Sequence, residues 1–122
     1  MIDTLYETIG GRKIINAAVD LFYQKVLADD SVRQFFEGMD MNHLRARQSM
    51  FLTMLLGGRI VYTGKDIRAA HAHPREMGMG NTHFDTILKH FAASLEEVGV
   101  QAGTVQKIMT LLEGTRNAVL NF

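Results

Sequence analysis

The apolar residues of this chain recur at every third or fourth position along stretches that contain almost no helix breakers. In the second such stretch the apolar positions are Ile15, Val19, Phe22 and Val26, a spacing that places them on one face of an α-helix. Pro74 is the single proline, and most of the eleven glycines stand in pairs or close clusters between these stretches. Alternating apolar and polar residues, which are typical of strands, are nearly absent from the sequence. The pattern therefore predicts an all-α domain.

Size and composition narrow the classes of function. The 122 residues fit one domain, 1–122, built around a single core. Thirteen Lys and Arg balance thirteen Asp and Glu, so no excess positive charge favours binding to nucleic acid or to a membrane surface. The absence of cysteine excludes disulfides, iron–sulfur clusters and Cys-based zinc modules. The sequence lacks the layout of a signal peptide and any apolar run near the roughly 20 residues of a membrane span, so we expect a cytoplasmic protein.

Capping residues and glycines predict where the helices begin and end. The glycine pairs 10–11 and 57–58 end helices, while Asp40 and Thr82 are the predicted caps of two later ones. The predicted helices cover about residues 3–9, 12–27, 41–56, 82–98 and 104–119, with a brief helical turn at 32–36 and a short piece at 65–72. The irregular stretch 58–81 has a length at which loops in small domains are generally functional.

Two polar residues interrupt helical faces that are otherwise apolar. Gln48 lies in the middle of the stripe formed by Leu44, Phe51 and Leu55, where an unpaired buried amide costs about 1 to 3 kcal/mol. It either bonds to backbone or water at the edge of the stripe, or directs a polar group at a ligand. Tyr23 raises the same question, since it is either a packed aromatic with its hydroxyl at the surface or a second polar group for that ligand.

The histidines offer a candidate ligand of a metal. His71 ends the short predicted helix, on the same face as Ile67, and is either a surface or capping residue or a ligand. With His73 it forms a His-x-His pair, but without a nearby Cys, Asp or Glu this makes a poor zinc site. Met77 and Met79 belong to the same long stretch and suit the wall of an apolar pocket.

Familiar catalytic motifs are absent from the sequence. It contains no Gly-x-Ser-x-Gly, no phosphate-binding loop ending in Lys-Ser or Lys-Thr, and no His-Glu-x-x-His. What remains is a cysteine-free helical domain with one candidate axial histidine and two polar residues on apolar helices. A haem pocket explains these features together, because iron needs one imidazole while the porphyrin needs apolar walls with few polar groups.

Short motifs follow one another in a recognisable order along the chain. They are Leu5-Tyr6, Ile9-Gly10-Gly11, Phe22-Tyr23, Val26-Leu27-Ala28-Asp29-Asp30, Phe35-Phe36, Leu55-Leu56-Gly57-Gly58, Tyr62-Thr63-Gly64, His71 and His83-Phe84. In this order and at these intervals they resemble the truncated haemoglobins, the small two-over-two globins, and most closely their first group. The resemblance covers essentially the whole chain and implies a two-over-two helical sandwich around a haem.

The resemblance also implies a role for the residues singled out above. It makes His71 the proximal iron ligand and Phe36 a phenylalanine that packs on the porphyrin. Tyr23 and Gln48 become a polar distal pair that faces bound gas. Leu44, beside them, stands where other globins carry a distal histidine.

Further cofactor contacts follow from the same resemblance. They are Phe35, Arg47, Phe51, Tyr62, Ile67, Arg68, Met79 and Phe84. Arg47 stands where cyanobacterial relatives carry a histidine that binds iron, so we expect an open or water-occupied sixth position, with Arg47 binding a haem propionate or closing the distal mouth. Thr115 replaces a histidine that in some relatives bonds to a haem vinyl, so we expect noncovalent haem b.

Two classes of function are compatible with this resemblance. One is reversible binding of O₂, NO or CO at a five-coordinate iron; the other is an enzyme with nitric oxide dioxygenase or peroxidase-like activity, which needs an external reductase. Outside the family, the alternative is a cofactor-free helical interaction module. We expect a monomer or weak dimer that binds neither nucleic acid nor membrane.

Overall fold

The structure is a computed structural model that describes residues 4–57 and 78–120. The predictions for Tyr62, Ile67, Arg68 and His71, and for the short helical piece at 65–72, lie outside the described residues. The helices are α1 (Leu5–Ile9), α2 (Arg12–Leu27), α3 (Met41–Leu55), α4 (Asn81–Glu97), α5 (Ala102–Glu113) and α6 (Arg116–Leu120), with a 3₁₀ turn at Arg33–Phe35. The described residues contain no strand, so the prediction of an all-α chain is confirmed for them.

Side-chain caps and left-handed glycines set the ends of the first helices. The Asp40 carboxylate accepts hydrogen bonds from the backbone N–H groups of Asn42 and His43, at 3.0 and 3.2 Å, which confirms Asp40 as the cap of α3. Gly10 ends α1 with φ at 110°, and Gly57 follows α3 with φ at 96°. These are conformations that residues with a Cβ avoid, so both helices stop where the glycine pairs predicted.

The second half of the chain departs from the predicted boundaries. Helix α4 begins at Asn81 after Gly80, and His83, not Thr82, supplies the cap, because its Nδ1 accepts the Gly80 N–H at 3.0 Å. The last helix is not continuous over 104–119, since it begins at Ala102 and breaks at Gly114 and Thr115. The Thr115 hydroxyl donates to the Leu112 carbonyl at 2.7 Å, which satisfies a carbonyl at the end of α5.

Helix α2 is the centre of the packing. It contacts α3 on one side and α4 on the other, and α4 in turn packs on α5. The Phe22 and Phe91 rings stack between α2 and α4 with centroids 3.7 Å apart. Both side chains are buried, along with the other residues that the helical period of α2 predicted for the core. None of the helices in the described ranges is long and apolar enough to cross a membrane.

A corner of 13 residues, 28–40, joins α2 to α3 and is held against α4 at two points. The Asp29 carboxylate accepts from the Ser31 backbone N–H at 3.0 Å and from the Ser31 hydroxyl at 2.7 Å. Its other oxygen lies 2.7 Å from His90 Nε2 on α4. The Phe35 ring meets the His83 ring edge-on, with centroids 4.9 Å apart. The corner therefore places Phe36 beside α2 and α4.

Candidate functional site

A cavity with mostly apolar walls lies between the helix pairs α2–α3 and α4–α5. Its walls are Phe22, Phe36, Gln48, Phe51, Met79, Phe84, Ile87, Leu88, Phe91, Leu112, Thr115 and Val119. Five of these side chains are phenylalanines, and Gln48 and Thr115 are the two that carry polar groups. Such a lining is typical of a site for a flat, apolar ligand that also needs a polar contact.

Tyr23 lies beside this cavity with its side chain buried. The residue is only 1% exposed, and its ring packs edge-on against Phe36, with centroids 5.8 Å apart. Its hydroxyl donates to the backbone carbonyl of Leu44 at 3.3 Å. The side chain of Gln48 lies close enough to lower the pKa of this hydroxyl. The structure therefore brings together Tyr23, Gln48 and Leu44, the three residues predicted for the distal side.

The environment of Tyr23 keeps its hydroxyl protonated. Burial raises the pKa of Tyr23 far above its ordinary value, and the Gln48 side chain and the charges of Arg45 and Arg47 offset only part of that rise. Gln48 lowers the pKa because its amide stabilises the ionised phenol, as an N–H donor does. The pair thus offers one O–H and one amide group for hydrogen bonding at neutral pH.

The other predicted cofactor contacts fall into two groups. Phe36, Phe51, Met79 and Phe84 line the cavity. The lining of the cavity does not include Phe35, Arg47 or Leu44. Phe35 is buried against His83, Arg47 is exposed on α3, and Leu44 contributes its carbonyl to Tyr23. The role of Arg47 at a propionate therefore stays a prediction.

Sequence reasoning did not assign several residues to this wall. These residues line the cavity from α4, α5 and α6, and they are Ile87, Leu88, Phe91, Leu112 and Val119. The helical period predicted that positions such as Phe91 are buried. The apolar pattern is the same whether a buried residue faces another helix or a cavity. Only the packing of α4 on α5 separates the two cases.

The lining suits haem in chemistry and requires some opening in size. Aromatic and aliphatic side chains can cover the faces of a porphyrin, while Tyr23 and Gln48 provide polar groups on one side. The enclosed space measures about 60 Å³, whereas pockets for ligands of drug size measure about 300 to 1,000 Å³. Haem binding therefore requires these side chains to move apart, and Met79 is a flexible residue suited to that.

A larger groove of about 950 Å³ lies on α1, α2 and α3. Its lining differs in kind, since it includes Glu7, Arg12, Asp20 and Arg45. Arg45 Nε approaches Asp20 Oδ1 at 3.2 Å without the geometry of a hydrogen bond. Charged, water-exposed walls of this kind cannot cover the faces of a porphyrin, so the apolar cavity is the better candidate for a cofactor.

Comparison with known proteins agrees with this fold. Residues 4–121 match the family described as "Bacterial-like globin". The chain is 44% identical to the group 1 truncated hemoglobin of Tetrahymena pyriformis over 117 residues, which cover 96% of this chain and 94% of that protein.

Solved structures of two such proteins have the same architecture. The Fe(III) form of the Tetrahymena pyriformis protein superposes with a TM-score of 0.86 at 44% identity, covering 97% of this chain and 98% of that one. The 2/2 hemoglobin of Synechococcus sp. PCC 7002, solved in the cyanomet state with covalently attached heme, superposes with a TM-score of 0.91 at 36% identity, covering 98% of this chain and 100% of that one. The two-over-two fold is thereby confirmed, and this chain belongs to the bacterial-like globins, within them to the group 1 truncated haemoglobins.

Proposed function

We propose that this globin reversibly binds O₂ and other diatomic gases, such as NO and CO, at a haem b, and that Tyr23 and Gln48 hold the gas. One observation carries the proposal. A fully buried tyrosine, kept protonated by its surroundings, lies near a glutamine that lines an apolar cavity. A buried hydroxyl needs a hydrogen-bond partner, and a diatomic gas in the cavity is small enough to replace the long bond that Tyr23 makes to the Leu44 carbonyl.

The two donors suit a ligand with negative charge on its outer atom. Haem would supply an iron able to bind a diatomic gas. Bound O₂ would carry partial negative charge, whereas CO would carry little. An O–H and an N–H directed at that charge stabilise it in a dry pocket more strongly than they would in water. Tyr23 and Gln48 thus favour retention of O₂ over CO.

The resting hydrogen bond of Tyr23 allows this change of partner. A hydroxyl has a single proton, which Tyr23 donates to the Leu44 carbonyl at 3.3 Å. That distance is longer than the 2.5 to 3.0 Å usual for O–H···O bonds, so the bond is weak. The hydroxyl can turn towards an acceptor in the cavity, while the Leu44 carbonyl keeps its helical partner.

In this proposal His71 is the residue that would bind the haem iron. The assignment rests on the resemblance of the chain to its family, because His71 lies outside the described residues. A neutral imidazole supplies one bond to iron and donates its other N–H to a nearby acceptor. Leu44 and Arg47 carry no imidazole, so neither of them would compete with His71 for the iron.

We also propose that the haem is held without a covalent bond. Thr115 lines the cavity where some relatives carry a histidine, and its hydroxyl donates to the Leu112 carbonyl at 2.7 Å. A hydroxyl committed to the backbone is a poor group for attack on a vinyl. Apolar contacts with the walls then supply most of the affinity for the porphyrin.

The test is the rate at which O₂ and CO leave the haem-loaded protein. Hydrogen bonds to charged acceptors contribute about 1.5 to 3 kcal/mol, so Tyr23→Phe should speed O₂ dissociation by about 10- to 150-fold. Gln48→Leu should have a smaller effect in the same direction, and CO dissociation should change far less in both variants. Flash photolysis and stopped-flow mixing measure these rates.

A matched variant controls for the loss of a phenol. Tyr6 lies on α1 beside the polar groove, so Tyr6→Phe should leave both dissociation rates unchanged. If Tyr23→Phe leaves O₂ release unchanged, or alters O₂ and CO release equally, hydrogen bonding does not retain the gas and the proposal fails.

A further inference from the structure

Arg116 opens α6 and lies over the outer face of a cavity wall. Its guanidinium carbon sits 4.6 Å from the centroid of the Phe84 ring, and its side chain is only 19% exposed. Phe84 is buried and forms part of the cavity lining. A cation over an aromatic face attracts it electrostatically, and more strongly when both are shielded from water. Arg116 is therefore in a position to act on the cavity through this ring.

All five N–H groups of Arg116 have acceptors. Nε and Nη2 donate to the two carboxylate oxygens of Glu113, at 2.7 and 2.9 Å. Nη1 donates to Asn81 Oδ1 at 2.9 Å and approaches the Asn81 carbonyl at 3.4 Å. The second N–H of Nη2 donates to Asp85. A guanidinium offers five donors in a fixed plane, so its orientation over Phe84 is fully determined.

These bonds join three segments that meet at the cavity. Glu113 ends α5, Arg116 begins α6, and Asn81 and Asp85 belong to the start of α4. Isolated surface ion pairs contribute little to stability, but here one partly buried cation is shared by two carboxylates, an amide and a ring. Because Arg116 keeps its charge at any accessible pH, the arrangement does not come apart as pH changes near neutrality.

We propose that Arg116 is a positioning residue that fixes Phe84 as a rigid wall of the haem cavity and thereby slows haem loss. The inference rests on the proposed haem binding and adds to it a determinant of cofactor retention. The cavity would then open by movement of wall residues that are not held in this way, such as Met79. Arg116 itself does not line the cavity, so its effect passes through Phe84.

The experiment measures haem transfer from the loaded protein to an excess of apomyoglobin. Arg116→Met keeps an apolar stem over the ring but removes all five donors and the charge, and should speed haem loss by about tenfold. Arg116→Lys keeps the positive charge but loses the planar set of five donors. Its haem loss should be slower than that of Arg116→Met and faster than that of the parent. Lys25→Met removes an ion pair to Glu97 away from the cavity, and should leave haem loss unchanged.

A double-substitution cycle separates this role from a general loss of stability. If Arg116 acts through Phe84, Arg116→Met should change haem loss little once Phe84→Leu is already present. Equal acceleration in both backgrounds, or no acceleration by Arg116→Met alone, overturns the inference. A parent protein that takes up haem with a Soret band supports the proposed function whatever these variants do, whereas a parent without that band refutes the proposed function itself.

Discussion

Asp29 shows how much one carboxylate organises in this molecule. One of its oxygens accepts two hydrogen bonds from Ser31, and the other meets His90 on α4. The His90 hydrogen bond is the largest cause that lowers the pKa of Asp29 to about 2, and the Ser31 bonds add to it. A carboxylate with a pKa below its unfolded value stabilises the fold only while it is ionised.

The sign of this linkage gives a prediction about acid stability. The contribution of Asp29 is complete above its unfolded pKa of about 3.8 and is lost as pH falls towards about 2. Asp29→Asn should therefore lower the urea midpoint at pH 5 to 7, and the difference from the parent should shrink between pH 4 and 2. Asp30→Asn, which alters an exposed carboxylate that pairs with Arg33, is the control. A difference that stays constant down to pH 2 would contradict this account.

Tyr23 and Gln48 mark what residue patterns can and cannot predict. The sequence identified both as polar interruptions of apolar helical faces, and the structure brings them near each other. The residue pattern did not predict the bond from the Tyr23 hydroxyl to the Leu44 carbonyl, because a sequence does not distinguish one backbone carbonyl from another. That bond follows from how closely α2 and α3 pack, which is a property of the fold.

At the scale of elements, Gly57 is where α3 turns back towards the start of the chain. The Tyr6 backbone N–H donates to the Leu56 carbonyl at 2.9 Å, and a Cβ on Gly57 would lie 3.0 Å from the Thr4 Cβ. The positive φ and this close approach act together. The end of α3 and the start of α1 therefore require glycine at this position.

Gly57→Ala should destabilise the protein by about 1 to 2 kcal/mol, the cost of a left-handed residue with a Cβ. Gly103→Ala is the matched control, because Gly103 lies within α5 and a Cβ there meets nothing within 4 Å. That substitution should raise stability by up to about 1 kcal/mol. Urea unfolding followed by circular dichroism measures both changes. Equal effects of the two substitutions would show that the conformation of Gly57 is not what matters.

The end of the last helix shows why element boundaries were harder to predict than element types. Leu112 and Val119 are seven residues apart and lie on one helical face, so the sequence predicts one helix. The break at Gly114 and Thr115 depends on the Thr115 bond to Leu112 and on the contacts of Arg116 with α4. The contact of Arg116 with Asn81 joins residues 35 apart in sequence, and a local sequence pattern cannot predict such a contact.

At the scale of the whole molecule, the haem of the proposed function would join the two helix layers. The cavity walls come from α2 and α3 on one side and from α4, α5 and α6 on the other. A ligand that binds only the folded state stabilises it according to its concentration and affinity. We therefore expect haem to raise the melting temperature, and the two layers to unfold as one unit in the loaded protein.

In the proposed function, His71 is the residue on which haem binding depends. His71→Ala should greatly reduce haem retention and abolish the five-coordinate ferrous spectrum, since no other imidazole is proposed to bind the iron. His73→Ala should leave both near the values of the parent. Absorbance spectra of the two variants after haem loading and gel filtration provide the measurement, and extraction with acidified acetone should remove the haem from the parent.

Two results would count against this assignment. Equal haem loss from His71→Ala and His73→Ala would leave the iron ligand undetermined between them. A low-spin bis-histidine spectrum of the ferrous parent would show that an imidazole occupies the distal side in spite of Leu44 and Arg47. Either result can be read from the same set of spectra.

If Tyr23 holds O₂ as proposed, its 3.3 Å bond to the Leu44 carbonyl makes gas affinity depend on the spacing of α2 and α3. Retention of O₂ depends on the difference between the bond that Tyr23 gives up and the bond that it gains. A shift of α3 towards α2 by a few tenths of an ångström would strengthen the first bond and weaken the hold on O₂, with no change of any residue in the pocket. Substitutions outside the pocket, where α2 packs on α3, can therefore change the preference for O₂ over CO. CO affinity would change little, because CO gains little from a hydrogen bond with Tyr23.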